Sequence, residues 1–161
     1  MDIPEPELKA DSILVRPHYV GCNPCDYMTI DMSFAFTEGQ VVGVDYSGVV
    51  ERIGEDVKTD HRPGDRVCGA VAAGVGCDIS RGCFADLTPG YGHFVFPVPQ
   101  NVSMEQAGVL GVAFSTIAIS LYQDFGFPLP DMDPKFGKGK PFFIFGGSTA
   151  TGLWAVQFAK L

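Results

Sequence analysis

Apolar positions along this chain follow two rhythms. Through residue 102 they come in short runs cut by glycine and proline, the mark of brief strands joined by turns. Residues 12–15 read as a strand, followed by residues 16–20 with Pro17 inside, and residues 21–26 carry a turn signal. Residues 41–54 read as strands broken at glycines, and Gly64-Asp65 as a turn into another strand. Residues 70–82 form a small-residue loop, and residues 84–99 return to strand-like alternation around Pro89-Gly90. This predicts a compact β domain of short strands. At Ser103 the rhythm changes. Ser103 with Gln106 is a capping-box pattern, and no proline interrupts residues 104–125. There Leu110, Val112, Phe114, Ile117, Ile119 and Leu121 fill most helical faces, while Ala107, Gly108 and Gly111 allow close backbone approach. Two helical segments are expected, stopped by Gly126 with Pro128 and Pro130 behind it. Residues 131–140 then form a polar connector.

The last stretch combines both rhythms. Phe142-Phe143-Ile144-Phe145 is wholly apolar, as in a strand buried on both faces of a parallel sheet. Small residues follow from Gly146 to Gly152, and a helix is expected over residues 153–161, with Leu153, Val156 and Ala159 on one side. A strand, a tight turn and a helix N-terminus make an anion site, because unpaired N–H groups and the helix dipole point at the same spot. The expected guest is a dinucleotide pyrophosphate. The fit to Gly-x-Gly-x-x-Gly is loose: Gly146, Thr149 and Gly152 keep a three-residue frame whose middle member is threonine. Ser148, Thr149 and Thr151 offer hydroxyls for phosphate or for capping the helix. The same residues also suit a strand–turn–helix corner that holds no ligand. The residue that distinguishes NAD from NADP is expected about 20 positions further on, past Leu161.

Composition narrows the classes. A length of 161 residues suits one large domain, or a domain with part of another. With 46% hydrophobic and 12% aromatic residues the chain can build a core, and 20 glycines with 12 prolines imply many turns. A net charge of −8 without a basic cluster argues against a nucleic-acid partner. No apolar run has the length of a membrane span. The acidic, proline-rich opening Met1-Asp2-Ile3-Pro4-Glu5-Pro6 is unlike a secretory signal, so a cytoplasmic protein with reduced thiols is expected. Cys22 and Cys25 have the C-x-x-C spacing of zinc and redox sites, but Cys77 and Cys83 make a poor second pair, and five cysteines close no disulfide framework. Ordinary buried or half-buried thiols are expected, and no metal.

The order of parts resembles the medium-chain dehydrogenase/reductase superfamily. The resemblance is carried by Gly21-Cys22-Asn23-Pro24-Cys25-Asp26, by Gly43-Val44-Asp45-Tyr46-Ser47-Gly48-Val49-Val50 with Ile53-Gly54, by Gly64-Asp65-Arg66-Val67, and by the terminal nucleotide turn. More narrowly, Asn23-Pro24-Cys25-Asp26-Tyr27, Phe125-Gly126-Phe127-Pro128-Leu129-Pro130 and the run Gly146 to Thr151 resemble the trans-acting enoyl reductases that partner fungal polyketide synthases. The fold this implies is mixed β and α/β: a GroES-like β-barrel domain over residues 1–102, a helical connection and linker over 103–140, and the beginning of a Rossmann domain over 141–161. The resemblance further implies a chain truncated at both ends, without the family's opening strand and most of its Rossmann sheet.

Zinc alcohol dehydrogenases of the superfamily place a catalytic cysteine after the first of these glycines and a His-Glu pair after the second. Asn23, Val44 and Asp45 stand in those places here, so the resemblance implies hydride chemistry without zinc. In such relatives NADPH reduces the β-carbon of an α,β-unsaturated thioester or ketone. Carried over residue by residue, Cys25, Asp26, Tyr27 and Met28 flank nicotinamide and ribose, with Tyr27 the candidate catalytic donor. Gly111, Val112, Ala113, Phe114, Ser115, Thr116, Ile117 and Ala118 line the substrate side, with Thr116 also close to the cofactor. Ser148, Thr149, Ala150 and Thr151 hold the phosphates. Met28 departs from the pattern, since these reductases usually carry lysine there and a thioether cannot bind a ribose hydroxyl or stabilise charge. Three functions remain open: an enoyl reductase acting with a polyketide synthase, a zinc-independent quinone or enone reductase acting on free small molecules, and a non-catalytic remnant or binding module.

Overall fold

The computed structural model describes residues 3–31, 39–72 and 79–161. They divide into two compact units, Met1–Val112 and Ala113–Leu161.

The first unit is a five-stranded antiparallel sheet curled as a half-barrel, in the order β4-β1-β2-β3-β5. β1 (Ser12–Gly21) and β2 (Asp45–Ile53) form its centre, with β3 (Arg66–Ala70), β4 (Thr88–Tyr91) and β5 (Val95–Pro97) outside them. β1 is one continuous strand across Pro17. Beside Pro17 its register on β2 shifts, and β4 pairs only with Ser12 to Val15, so the missing proline N–H falls where the ladder is already irregular. β2 likewise runs unbroken through Gly48, against the expectation of strands cut at glycines. A Cβ there would stand 2.2 Å from the Arg16 carbonyl oxygen, so glycine lets two strands approach rather than ending one.

The inward side chains of the sheet make the core. Ile13, Val15, Tyr46, Val50, Val67, Val71, Cys83 and Val95 form one buried cluster. A second cluster of Cys68, Val98 and Ala107 carries α2 (Met104–Ala107), which lies against β1, β2 and β3. The expected capping box is present: the Ser103 hydroxyl accepts from Gln106 N at 3.1 Å and the Gln106 side chain accepts from Ser103 N at 3.1 Å. The turn signal over residues 21–26 runs into a helix that the sequence pattern did not predict, α1 spanning Pro24–Asp31. Pro24 suits its first position, where no N–H is needed.

The long apolar stretch, which begins in the first unit and continues into the second, is divided further. α2 stops at Gly108, α3 covers Gly111–Ala118, and a π-helical turn covers Ile119–Asp124 before Gly126, whose φ of +67° ends the run. Phe114 packs on Trp154 and Phe158 at ring distances of 5.4 and 5.2 Å, which ties α3 to α4 (Ala150–Phe158). α4 begins three residues before the expected start because Thr149 caps it. Gly152 and Ala155 form its buried face, while Leu153 is exposed.

Phe142 to Phe145 overturn the expectation of a buried strand. The run pairs with no strand among the described residues, and Phe143 and Phe145 are 89% and 93% exposed. A strand needs a neighbour to satisfy its backbone and cover its faces. Here Phe142 instead joins an aromatic cluster, with its ring 6.2 Å from that of Phe127. No helix among the described residues is long and apolar enough to cross a membrane.

Candidate functional site

In the first unit, the candidate residues gather where β1 hands over to α1. Asn23 precedes the helix and exchanges two bonds with its first turn. Asp26 N donates to the Asn23 carbonyl at 3.0 Å, and Asn23 N donates to Asp26 Oδ2 at 2.7 Å. An acidic group in the first turn also suits the positive end of the helix dipole. Asp26 is buried, and its Oδ1 has no hydrogen-bond partner among the described residues. Cys25, Tyr27 and Met28 follow on the same helix and face solvent, with Tyr27 60% exposed. The Cys25 thiol is pushed up from its ordinary value by partial burial and by the Asp26 charge, so at neutral pH it stays protonated and is a poor nucleophile.

Asp45 opens β2 at the same end of the sheet. It is buried, and both of its oxygens accept: Oδ2 from Asn23 Nδ2 at 2.8 Å, and Oδ1 from Val112 N at 2.6 Å. Its carbonyl accepts from the Cys83 thiol at 3.1 Å. Burial pushes the Asp45 carboxyl above the usual carboxylate range, the Asn23 and Val112 bonds oppose the rise, and the nearby Asp26 charge adds to it. Gly111 completes the corner: a Cβ on it would stand 2.0 Å from the Gly69 carbonyl oxygen. The structure therefore brings Cys25, Asp26, Tyr27 and Met28 together on α1, and ties Asn23 and Val112 to one carboxylate.

The remaining candidates belong to the second unit. On α3, Ala113 and Ser115 are buried, Phe114 packs on α4, Thr116 is exposed, and Ile117 and Ala118 are half-buried. The Ser115 hydroxyl has no hydrogen-bond partner among the described residues. At the head of α4, Gly146 turns with φ +77°, and a Cβ on Gly152 would meet the Gly146 oxygen at 2.2 Å. Thr149 Oγ1 donates to the Gly146 carbonyl at 2.9 Å and accepts from Gly152 N at 3.0 Å, so this hydroxyl caps the helix. Ser148 and Ala150 are exposed and Thr151 is half-buried.

The cysteines depart in part from expectation. Cys68 and Cys83 are buried, whereas Cys22 and Cys25 are exposed because they flank the solvent-facing start of α1. Cys77 lies outside the described residues. Among those residues no cluster of three or more histidine, cysteine or acidic side chains is arranged to hold a metal. A cleft of about 630 Å³ in the first unit, lined by Ile3, Pro4, Glu5, Phe84, Asp86 and Leu87, contains none of the candidates. Asp45 is more than a replaced zinc-site residue, which is all that the motif comparison makes of it. A lone carboxylate inside the run Gly43-Val44-Asp45-Tyr46 was the available signal, since a charge in an apolar strand needs buried partners.

Residues 9–100 match the alcohol dehydrogenase GroES-like domain. The chain belongs to that family. Among curated relatives, it is 37% identical over 157 residues to the trans-enoyl reductase fsa3 of Fusarium sp. (strain FN080326), covering 97% of this chain and 44% of the relative. It is 38% identical over 156 residues to the trans-enoyl reductase TOXD of Cochliobolus carbonum, covering 97% of this chain and 51% of that protein. The chain thus spans about half the length of the curated relatives it matches. Among solved structures, the quinone oxidoreductase from Coxiella burnetii superposes with a TM-score of 0.70 at 25% identity, covering 99% of this chain and 48% of the other. The resemblance to fungal trans-acting enoyl reductases, read from the motifs, and the mixed β and α/β fold that it implied, both hold for this GroES-like chain.

Proposed function

We propose that this GroES-like chain is part of an NADPH-dependent enoyl reductase that works without zinc on α,β-unsaturated polyketide thioesters, in partnership with a polyketide synthase. The observation that carries the reading is the Asn23–Asp45 pair. Asn23 and Val44 occupy the positions where zinc-bearing relatives hold thiolate and imidazole, and the Asn23 amide is committed to Asp45 at 2.8 Å. An amide and an alkyl group make no tetrahedral zinc site, so these residues do not fit that metal.

The turn at the head of α4 supports a dinucleotide as the guest. The Thr149 cap and the close approach of Gly152 to Gly146 shape a tight turn at the head of α4, where the helix dipole favours an anion. Ser148, Thr149, Ala150 and Thr151 are the residues that would hold phosphate, Cys25, Asp26, Tyr27 and Met28 those that would flank nicotinamide and ribose, and Thr116 is a further candidate for the cofactor. NADPH, when bound, supplies the hydride that adds to the β-carbon of the enoyl group. The chain's own part is to orient the thioester along Gly111 to Ala118, and to offer the exposed Tyr27 hydroxyl as a donor to the developing oxyanion. Met28 provides no charge there, which reduces the help available from α1.

A second reading, a zinc-independent reductase of free quinones or enones, is favoured by the likeness to the Coxiella burnetii quinone oxidoreductase. Met28 favours the third, a non-catalytic binding module. Titration with NADPH, followed by nicotinamide fluorescence and melting temperature together, separates them. Saturable binding with stabilisation of about 2.7 kcal/mol at a hundredfold excess over Kd supports a reductase. Turnover of a carrier-bound enoyl thioester and not of free quinone then selects the first reading. A chain that melts cooperatively without binding NADPH is assigned to the binding module.

A further inference from the structure

We infer that Asp45 is a positioning residue whose single carboxylate fixes both the loop that leads into α1 and the first turn of α3. The inference rests on the proposed reductase reading, since it takes α1 as the cofactor side and residues 111–112 as the start of the substrate side.

The topology brings these parts together. Asp45 is the last ladder position at its end of the sheet, opposite Gly21 on β1 and Ala70 on β3. From Gly21 the chain leaves toward Asn23 and α1, and against Gly69, next to Ala70, the backbone of Gly111 is pressed. Asp45 therefore stands between two departing segments, and it bonds one atom of each: Asn23 Nδ2 at 2.8 Å and Val112 N at 2.6 Å. Both partners are donors. A carboxylate offers two acceptors and matches them, whereas a carboxamide would turn an NH₂ toward one of them and break that bond. The Cys83 thiol and the backbone carbonyl of Asp45 do not enter this exchange, because their bond uses neither carboxylate oxygen.

Native-state hydrogen exchange tests the inference on the whole chain. In Asp45→Asn, exchange at Val112 or at Asn23 to Asp26 is expected to rise at least tenfold, with amides of the β2–β3 ladder changing less. The double variant Asp45→Asn with Asn23→Asp swaps amide and carboxylate, and is expected to recover protection at Val112. NADPH titration of the same proteins is expected to show at least a tenfold weaker Kd for Asp45→Asn and partial recovery in Asp45→Glu. Unchanged exchange at both segments overturns the anchoring. Raised exchange with an unchanged Kd overturns the positioning role and leaves Asp45 as a structural anchor. If the unsubstituted chain does not bind NADPH, the reductase reading fails, and the positioning role fails with it, while exchange still decides the anchoring. Should Asp45→Asn not fold, Asp45→Glu and the double variant decide by the same readings.

Discussion

Gly111→Ala sets two physical effects against each other with opposite signs. Gly111 opens α3, and replacing a helical glycine with alanine ordinarily stabilises by about 1 kcal/mol. The packing opposes this. The new Cβ would meet Gly69 O at 2.0 Å, Gly69 C at 2.3 Å and Ala70 N at 2.8 Å, all of them backbone atoms of β3. Restoring ordinary contact, 3.4 Å against 2.0 Å, requires a displacement of about 1.4 Å. Forced repacking of this kind costs about 1–3 kcal/mol. The same displacement stretches the 2.6 Å bond from Val112 N to Asp45, a charge-assisted bond whose loss costs about 1.5–3 kcal/mol. Set against the helical gain, the net expectation is a loss of about 1.5–5 kcal/mol, a large share of a total stability of about 5–15 kcal/mol. Urea unfolding followed by circular dichroism measures it, with the midpoint falling while the slope holds. Gly147→Ala serves as the control, because a Cβ added there would find nothing within 4 Å, and the variant should remain within about 1 kcal/mol of the parent. A Gly111→Ala protein as stable as the parent, or more so, would refute the reasoning and show that helix propensity outweighs the contact with β3.

Four further outcomes are expected. Thr149→Ala removes the cap on α4 and should lower stability by about 1 kcal/mol and weaken NADPH binding, with Thr149→Ser recovering both; thermal melting and titration read them. Tyr46→Phe should be at least as stable as the parent, since the buried Tyr46 hydroxyl has no partner among the described residues, whereas Tyr46→Ala should cost about 3–5 kcal/mol in urea unfolding. Iodoacetamide should label Cys22 in the folded protein, Cys25 more slowly because its thiol is held protonated, and Cys68 and Cys83 only on unfolding, as mapped by peptide mass spectrometry. Burial pushes the Cys68 thiol up to about 11 and the Cys83 thiol up to about 12, with neighbouring carboxylate charge adding to both. The folded state therefore holds these protons more tightly than the unfolded chain. Their contribution is complete below the ordinary thiol value near 9 and is lost as pH rises through 11 and 12, so melting temperature should fall over that range, less steeply in Cys83→Ser.

The sequence by itself determined whatever is set by neighbours along the chain. The Ser103–Gln106 capping box, the stop at Gly126 and the β character of the first unit were all legible, because a cap, a positive φ and local alternation need only a few adjacent residues. The motifs sufficed for the family, and placed Cys25 to Met28 on one segment. Only the tertiary structure decided what depends on partners distant in the chain. Gly48 proved to be a point of approach for β1, not a break in β2, because its meaning lies in the Arg16 carbonyl 32 positions away. Phe142 to Phe145 look like a buried strand on paper, yet burial and pairing require adjacent strands, and no described residue supplies one. Asp45 has the look of a lost zinc-site residue, but Asn23 and Val112, 22 positions before it and 67 after it, donate to its two oxygens. Hydrogen bonds across such separations leave no periodic trace in a sequence, since they are made by the meeting of sheet and helix ends in the folded chain.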